Sequence, residues 1–174
     1  MKRRTFVARA NTFGFFGEWQ GMNEKLTAGD ICTREVIVAF RTTSLIEAAQ
    51  LMREYHVGSL VVVDETGGLR HVVGMLTDRD IVTAVVAPAL EPGALSVGDV
   101  MSAEPITAQD DDSVFDLLST MRDKGLRRLP VVGREHELIG LVTLDDVLEI
   151  VAQELDLLVS AIGSGARLER KRRS

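Results

Sequence analysis

An internal repeat is the feature that most restricts how this chain can fold. Residues 28–64 align with residues 97–133 without a gap, and eleven of these 37 aligned positions are identical. Farther along, the segment from Gly74 to Asp80 matches the segment from Gly140 to Asp146, with three more residues in the loop of the first copy. The period is too long for a short-repeat solenoid. The sequence therefore predicts two copies of one domain.

The local signals follow the same order in both copies. An apolar segment at 36–39 predicts a short strand, and Ser44 with Glu47 predicts the capping box that opens a helix, as do Ser113 and Asp116 in the second copy. Apolar runs at 60–63 and 129–132 predict buried strands, each followed by another strand at 71–76 or 138–142. A helix at 78–87 and one running to about residue 162, before Gly163, complete the copies. This order predicts two compact α/β (α+β) units.

Composition excludes several classes of protein. Hydrophobic residues make up 45% of the chain and charged residues 26%, which is typical of a globular fold. A single cysteine, Cys32, allows no disulfide within the chain and, with three histidines, no recognisable zinc site. Aromatic residues make up only 5%, which argues against a platform for stacking nucleic-acid bases. The Cys32 side chain is expected in the core.

Charge is unevenly distributed along the chain. Residues 1–10 and 167–174 each carry a net charge of +4. Because the whole chain has a net charge of −6, residues 11–166 together carry −14. An acidic body makes nucleic acid an improbable partner, although the basic tails could touch anionic surfaces. No apolar run reaches the length of a membrane span, and residues 1–16 lack a convincing signal peptide. A cytoplasmic protein is expected.

The two motifs resemble those of CBS domains, named after cystathionine β-synthase. Each copy carries Gly-hydrophobic-x-Thr-x-x-Asp, at Gly74 to Asp80 and at Gly140 to Asp146, preceded by similar segments at 28–33 and 97–102. The resemblance is to the stand-alone bacterial type of tandem pair. It implies a β-α-β-β-α fold in each copy, packed as a pseudo-two-fold module. The expected divisions are an extension at 1–27, domains at 28–88 and 97–156, a linker at 89–96, and a helix end with a basic tail at 157–174.

The resemblance also implies that the clefts between the copies bind adenosine compounds. Asp80 and Asp146 would accept hydrogen bonds from ribose hydroxyls, and Thr77 and Thr143 would add a hydroxyl at the start of a helix. The same Thr-x-x-Asp spacing is also a variant capping box, so a purely structural role is the alternative. Capping and binding are compatible.

The remaining candidate residues fall into two groups by the part of a nucleotide they would contact. The adenine and strand-entrance candidates are Thr33, Val36, Ile37, Val38, Ser102, Pro105, Ile106 and Thr107, with core packing as the alternative for the apolar ones. The phosphate candidates are Arg79, Arg127 and Arg128, and Gly58, Ser59, Leu129 and Pro130 are nucleotide-binding candidates beside them. Arg127 and Arg128 correspond to Gly58 and Ser59 in the first copy, so the two clefts are expected to differ, and surface or interface charge is their alternative role.

Three hypotheses follow for function. The first is a homodimeric regulatory module that senses an adenosine nucleotide, with AMP ahead of ADP, ATP and S-adenosylmethionine, and signals to an unknown regulated protein. It requires no cofactor, and no catalytic constellation is visible, so an enzyme is not expected. The second is a ligand-free scaffold that recruits a partner through its termini. The third and weakest is binding of nucleic acid or anionic lipid through the basic tails.

Overall fold

The computed structural model describes residues 26–172, with side chains as far as residue 160 except at positions 154 and 158. The expected extension at 1–27 thus falls almost entirely outside the described residues. The first copy contains, in order, α1 (Ala28–Ile31), β1 (Val38–Ala39), α2 (Leu45–Glu54), β2 (Ser59–Thr66), β3 (Leu69–Thr77), α3 (Asp78–Ile81) and a π-helical segment (Val82–Val86). A 3-10 turn (Pro92–Ala94) lies between the copies.

The second copy repeats this order. Its elements are α4 (Val97–Val100), β4 (Ser102–Ala103), β5 (Ala108–Gln109), α5 (Val114–Lys124), β6 (Arg128–Val132), β7 (Leu138–Thr143) and α6 (Leu144–Arg172). Gly125 ends α5 in the left-handed conformation, with φ +65°, as its position after the apolar stripe predicts. Two sheets with helices confirm the predicted α+β class.

Each copy supplies a parallel and an antiparallel strand pair to its sheet. β1 pairs in parallel with β2, and β2 pairs antiparallel with β3. In the second sheet β5 pairs in parallel with β6, and β6 pairs antiparallel with β7. The first sheet gains a fourth strand, β4, which belongs in sequence to the second copy and pairs antiparallel with β3. The copies are therefore interleaved rather than simply adjacent.

The segments that open the copies exchange places in the two cores. We call residues 27–33 and 96–102 the lead segments. Val97, from the second lead segment, is fully buried in the first core with Leu60 and Leu76. Ala28, from the first lead segment, is fully buried in the second core with Leu129. The amide of Ala28 donates to the carbonyl of Asp112, and that of Val97 donates to the carbonyl of Thr43, both at 2.8 Å. The repetition of these contacts gives the module its pseudo-two-fold symmetry.

This exchange explains why both motifs begin with glycine. A β-carbon on Gly140 would lie 2.9 Å from the carbonyl oxygen of Thr33 and 2.5 Å from the sulfur of Cys32. A β-carbon on Gly74 would lie 2.5 Å from the sulfur of Met101 and 3.1 Å from the carbonyl oxygen of Ser102. At Gly140 the backbone of the other copy's lead segment passes too close for a side chain, whereas at Gly74 the closest obstacle is the side chain of Met101.

Three local predictions differ from the structure. The first strand covers only Val38–Ala39 rather than 36–39, because only these two residues pair with β2. The Ser44 hydroxyl accepts from the amide of Glu47 at 3.1 Å, but the return bond of a capping box is not found there among the described contacts. The prediction that the last helix ends before Gly163 is wrong, because α6 continues to Arg172. Each of the two glycines there, Gly163 and Gly165, weakens a helix by only about 1 kcal/mol and need not end it.

Candidate functional site

A cleft of about 280 Å³ lies between the two copies. The first copy lines it with residues from the segment that precedes β1 and from the turn that leads into β2, and the second copy lines it with residues from β6, from β7 and from the start of α6. The lining residues are Thr33, Glu35, Val36, Ile37, His56, Val57, Gly58, Ser59, Arg128, Leu141, Thr143 and Asp146. The structure thus brings eight of the predicted site residues together from segments about 100 residues apart.

The start of α6 presents Thr143 and Asp146 to this cleft. The amide and hydroxyl of Thr143 donate to Oδ2 of Asp146 at 2.7 and 2.8 Å, and the amide of Asp146 donates to the Thr143 hydroxyl at 3.3 Å. The pair is therefore a capping box, as the alternative interpretation of the motif predicted. Within the described part of the chain no hydrogen bond occupies Oδ1 of Asp146. That oxygen remains able to accept a hydrogen bond from a ligand.

Arg128 brings a positive charge to the same place. It stands opposite Thr143 in the pairing of β6 with β7, and its Nη2 lies 3.7 Å from where a β-carbon on Gly58 would be. Among the described residues, neither ion pair involves it, since these join Arg41 to Asp64 and Arg122 to Asp123. Its guanidinium is exposed and available to an anionic group.

The matching motif of the first copy forms the same hydrogen bonds but lies elsewhere. The amide and hydroxyl of Thr77 donate to Oδ2 of Asp80 at 2.8 and 2.7 Å, which again forms a capping box. Neither residue lines the cleft described above, and neither does the exposed Arg79. In the repeat alignment the first copy's cleft-lining segment corresponds to the segment with Ser102, Pro105, Ile106 and Thr107, and these four residues do not line the cleft described above either.

Four further predicted residues also lie outside this cleft. The side chain of Leu129 is fully buried in the second core, and Pro130 beside it is buried as well. Val38 pairs with Val61 in the first sheet, whereas Arg127 is exposed and its carbonyl accepts from the amide of Leu144 at 2.9 Å. Their roles at a ligand remain predictions.

Glu35, His56, Val57 and Leu141 line the cleft without having been singled out from the sequence. Glu35 has a signal that could have identified it, because it is identical to Glu104 in the repeat alignment. His56 has none of this kind, since its counterpart is Gly125. The cleft therefore contains a carboxylate, from Glu35, and an imidazole, from His56, that the sequence motifs did not identify.

Ionisable groups near the lead segments respond to their surroundings. Burial raises the pKa of the Cys32 thiol, against a smaller opposing effect of the Arg34 charge. Cys32 is half-buried and packs against the second core, close to the predicted core position, with its thiol 3.5 Å from the carbonyl oxygen of Gly29. In the other lead segment, hydrogen bonds from the hydroxyl and amide of Ser96 lower the pKa of the Asp99 carboxyl.

Across residues 26–172, no cluster of three histidine, cysteine, aspartate or glutamate side chains has the geometry to hold a metal ion. Over the same residues, no helix combines the length and apolar character needed to cross a membrane.

Comparison with known proteins gives consistent matches. The CBS domain family matches residues 28–87 and 97–153. An uncharacterised protein of Methanopyrus kandleri is 37% identical over 125 residues, which is 72% of this chain but only 62% of that protein. Hypoxic response protein 1 of Mycobacterium tuberculosis is 35% identical over 121 residues, 70% of this chain and 82% of that protein.

Solved structures show the same fold. A crystal structure of Hypoxic Response Protein I with two coordinated zinc ions has a TM-score of 0.64 and 32% identity, covering 71% of this chain and 98% of that one. A CBS domain pair in complex with 5′-methylthioadenosine and S-adenosyl-L-methionine has a TM-score of 0.63 and 26% identity, covering 72% and 99%. With two family matches in the two halves of an interleaved module, this chain belongs to the CBS domain family as a tandem pair.

Proposed function

We propose that this protein is a regulatory module that binds an adenosine compound in the cleft between its two CBS domains and signals to a partner protein. AMP is the ligand we favour. The observation that carries the proposal is the meeting, in one cleft, of the Thr143–Asp146 pair with an unpaired Arg128. The complex of a related CBS pair with two adenosine derivatives supports the same ligand class.

The chemistry of the cleft suits the parts of a nucleotide. Oδ1 of Asp146 can accept from ribose hydroxyls, and charged acceptors make the stronger hydrogen bonds. Val36, Ile37 and Val57 supply apolar surface for a base. A volume of about 280 Å³ lies near the lower end of small-molecule sites, which are about 300–1,000 Å³.

The charge of the cleft favours a single phosphate over a triphosphate. Among its twelve described lining residues, Arg128 is the only arginine or lysine, whereas Glu35 and Asp146 are both acidic. A triphosphate would bring several negative charges close to these two carboxylates, and like charges repel strongly where water is partly excluded. We therefore place AMP ahead of ATP as the ligand. The role we propose for this binding is regulation rather than catalysis.

The first test is thermal unfolding with AMP, ATP, S-adenosylmethionine and adenosine, with GMP as the control ligand. A ligand at about 100 times its dissociation constant adds about 2.7 kcal/mol of stability, enough to raise the Tm by about 5–10 °C. We expect Arg128→Gln to reduce the AMP-induced shift by more than half. Arg127→Gln, which removes an exposed arginine outside the cleft, should leave that shift unchanged.

The outcomes separate the hypotheses. A shift with an adenosine compound but not with GMP would support adenosine sensing, and equal loss in both arginine variants would contradict the assigned cleft. No shift with any adenosine compound, in protein shown to be free of bound nucleotide, would instead favour a ligand-free scaffold.

The oligomeric state we propose is a homodimer. Large apolar side chains are exposed at matching positions of the two copies: Ile46 at 47% and Phe115 at 75%, and Val82 at 55% and Leu148 at 64%. Exposed apolar side chains at corresponding positions of two copies are typical of a protein interface, and a second copy of the pseudo-symmetric module is the partner we propose for them. We expect the double variant Phe115→Glu with Leu148→Glu to sediment as a monomer. The double variant Arg53→Glu with Arg70→Glu, at exposed polar positions, is the control that should remain a dimer.

A further inference from the structure

His56 adopts a backbone conformation that ordinarily belongs to glycine. Its φ is +54°, and its counterpart in the second copy, Gly125, has φ +65°. Both residues follow a helix, and the next amide bonds back in the same way, from Val57 to the Met52 carbonyl at 3.0 Å and from Leu126 to the Met121 carbonyl at 2.9 Å. The backbone therefore requires the left-handed conformation at both positions, and glycine is the residue that meets this requirement with least strain.

The strained residue, His56, lies at the candidate binding cleft. It lines the cleft together with Arg128, Thr143 and Asp146, whereas Gly125 does not line it. Backbone strain retained beside a binding cleft is a feature that points to function. Glycine, which suits this backbone, therefore follows α5 and lies away from the cleft, whereas the strained histidine follows α2 and lines the cleft.

The neighbours of His56 determine which ligand group it can meet. Two residues along, Gly58 also lines the cleft, and the Nη2 atom of Arg128 is 3.7 Å from where a β-carbon on Gly58 would be. The other charged residues around the cleft are Glu35 and Asp146, together with Asp78, whose carboxylate lies 3.2 Å from the same β-carbon position. Among the described lining residues, the imidazole of His56 and the guanidinium of Arg128 are thus the two side chains that can offer an anion a positively charged donor, in surroundings that otherwise carry carboxylates.

We propose that His56 and Arg128 together bind the phosphate of a nucleoside monophosphate, and that His56 makes this binding depend on pH. The inference rests on the proposed function, since it assigns a residue to the same cleft. Histidine is the side chain whose charge normally changes between pH 5 and 8. Protonated His56 donates a charge-assisted hydrogen bond to the phosphate, so the contribution of His56 to AMP affinity increases as the pH falls.

The test measures AMP and adenosine affinities by calorimetry at pH 6 and pH 8 for the wild-type protein, His56→Gly and His56→Lys. We expect His56→Gly to weaken AMP binding about five- to tenfold at pH 6 and less at pH 8, because a charge-assisted hydrogen bond is lost. Adenosine affinity should not change. Protonation of the AMP phosphate over this range changes the affinity of every variant, so the effect of His56 is taken from the difference between variants at each pH.

The stability of the variants separates binding from folding. Glycine relieves the left-handed strain, so the Tm of His56→Gly without ligand should equal or exceed that of the wild-type protein. His56→Lys, which keeps a positive charge at both pH values, should restore AMP affinity and abolish its additional dependence on pH.

The results distinguish this inference from the proposed function. If wild-type protein binds AMP and His56→Gly binds it equally well at both pH values, the role of His56 is overturned while adenosine sensing stands. If His56→Gly weakens AMP and adenosine binding alike, His56 only shapes the cleft and the phosphate contact is overturned. If the wild-type protein binds neither ligand, both proposals are wrong.

Discussion

Replacing Gly140 with alanine is expected to destabilise the protein by about 3 kcal/mol, at the upper end of the range for inserting a carbon into a packed interior. The added β-carbon would lie 2.9 Å from the Thr33 carbonyl oxygen and 2.9 Å from the β-carbon of Cys32. Both are close to rigid backbone, so the lead segment as a whole must move. That movement would also disturb the paired hydrogen bonds between Thr33 and Leu141, which are 3.0 Å in each direction.

Gly74→Ala is the matched comparison in the other copy, and it should destabilise by only about 1–2 kcal/mol. Its closest contact is the sulfur of the flexible Met101 side chain, which can turn away, and the Ser102 carbonyl oxygen is farther, at 3.1 Å. Gly93→Ala, whose β-carbon would meet nothing nearer than 3.5 Å, should change stability by less than about 0.5 kcal/mol. Urea unfolding measures all three. Equal effects at Gly140 and Gly93 would contradict the tight crossing of the lead segment.

Replacing Asp146 with asparagine is expected to lower the affinity for AMP by at least about tenfold, because the charged acceptor proposed for the ribose hydroxyls is lost. The same change weakens the capping box at the start of α6, which by itself is worth about 1 kcal/mol of stability. Affinity is measured by calorimetry well below the Tm, so that folded protein is compared with folded protein.

Asp80→Asn provides a control with nearly identical geometry. Its capping bonds from Thr77 are 2.8 and 2.7 Å, compared with 2.7 and 2.8 Å from Thr143 to Asp146, so the two variants should lose similar stability. Because Asp80 does not line the cleft that contains Arg128, AMP binding at that cleft should be retained. If both variants lose stability equally and neither loses affinity, the motif aspartates are helix caps only.

Much of the fold could be predicted because its signals are local. Ser113 with Asp116 and Gly125 fixed the ends of α5, and the apolar runs that include Leu60 and Leu129 marked the strands of the two cores. These signals depend on residues three or four positions apart, or on unbroken apolar runs, and both are readable in one sequence. Where the signal was weak, as at Gly163, the predicted helix end was wrong.

The sequence predicted the motif residues of the candidate site, but it did not predict which residues of the two copies meet in one cleft. Thr143, Asp146 and Arg128 were all identified, yet nothing in the sequence shows that they share a cleft with Thr33 and Ile37 rather than with their own copy's strand start. His56 was missed for the same reason, because a histidine without a partner in sequence carries no ligand signal. Only folding brings it to the cleft that Arg128 also lines.

The sequence by itself determined the duplication, the capping box at each motif and the positions of the buried strands, because each depends on contacts between near neighbours or on the match between copies. The tertiary structure decided that the lead segments exchange cores and that the cleft combines the first copy's strand start with the second copy's motif. Two nearly equivalent copies present similar surfaces to each other. Which segment packs on which core therefore depends on close backbone contacts such as that between Gly140 and Thr33, which join residues more than 100 positions apart.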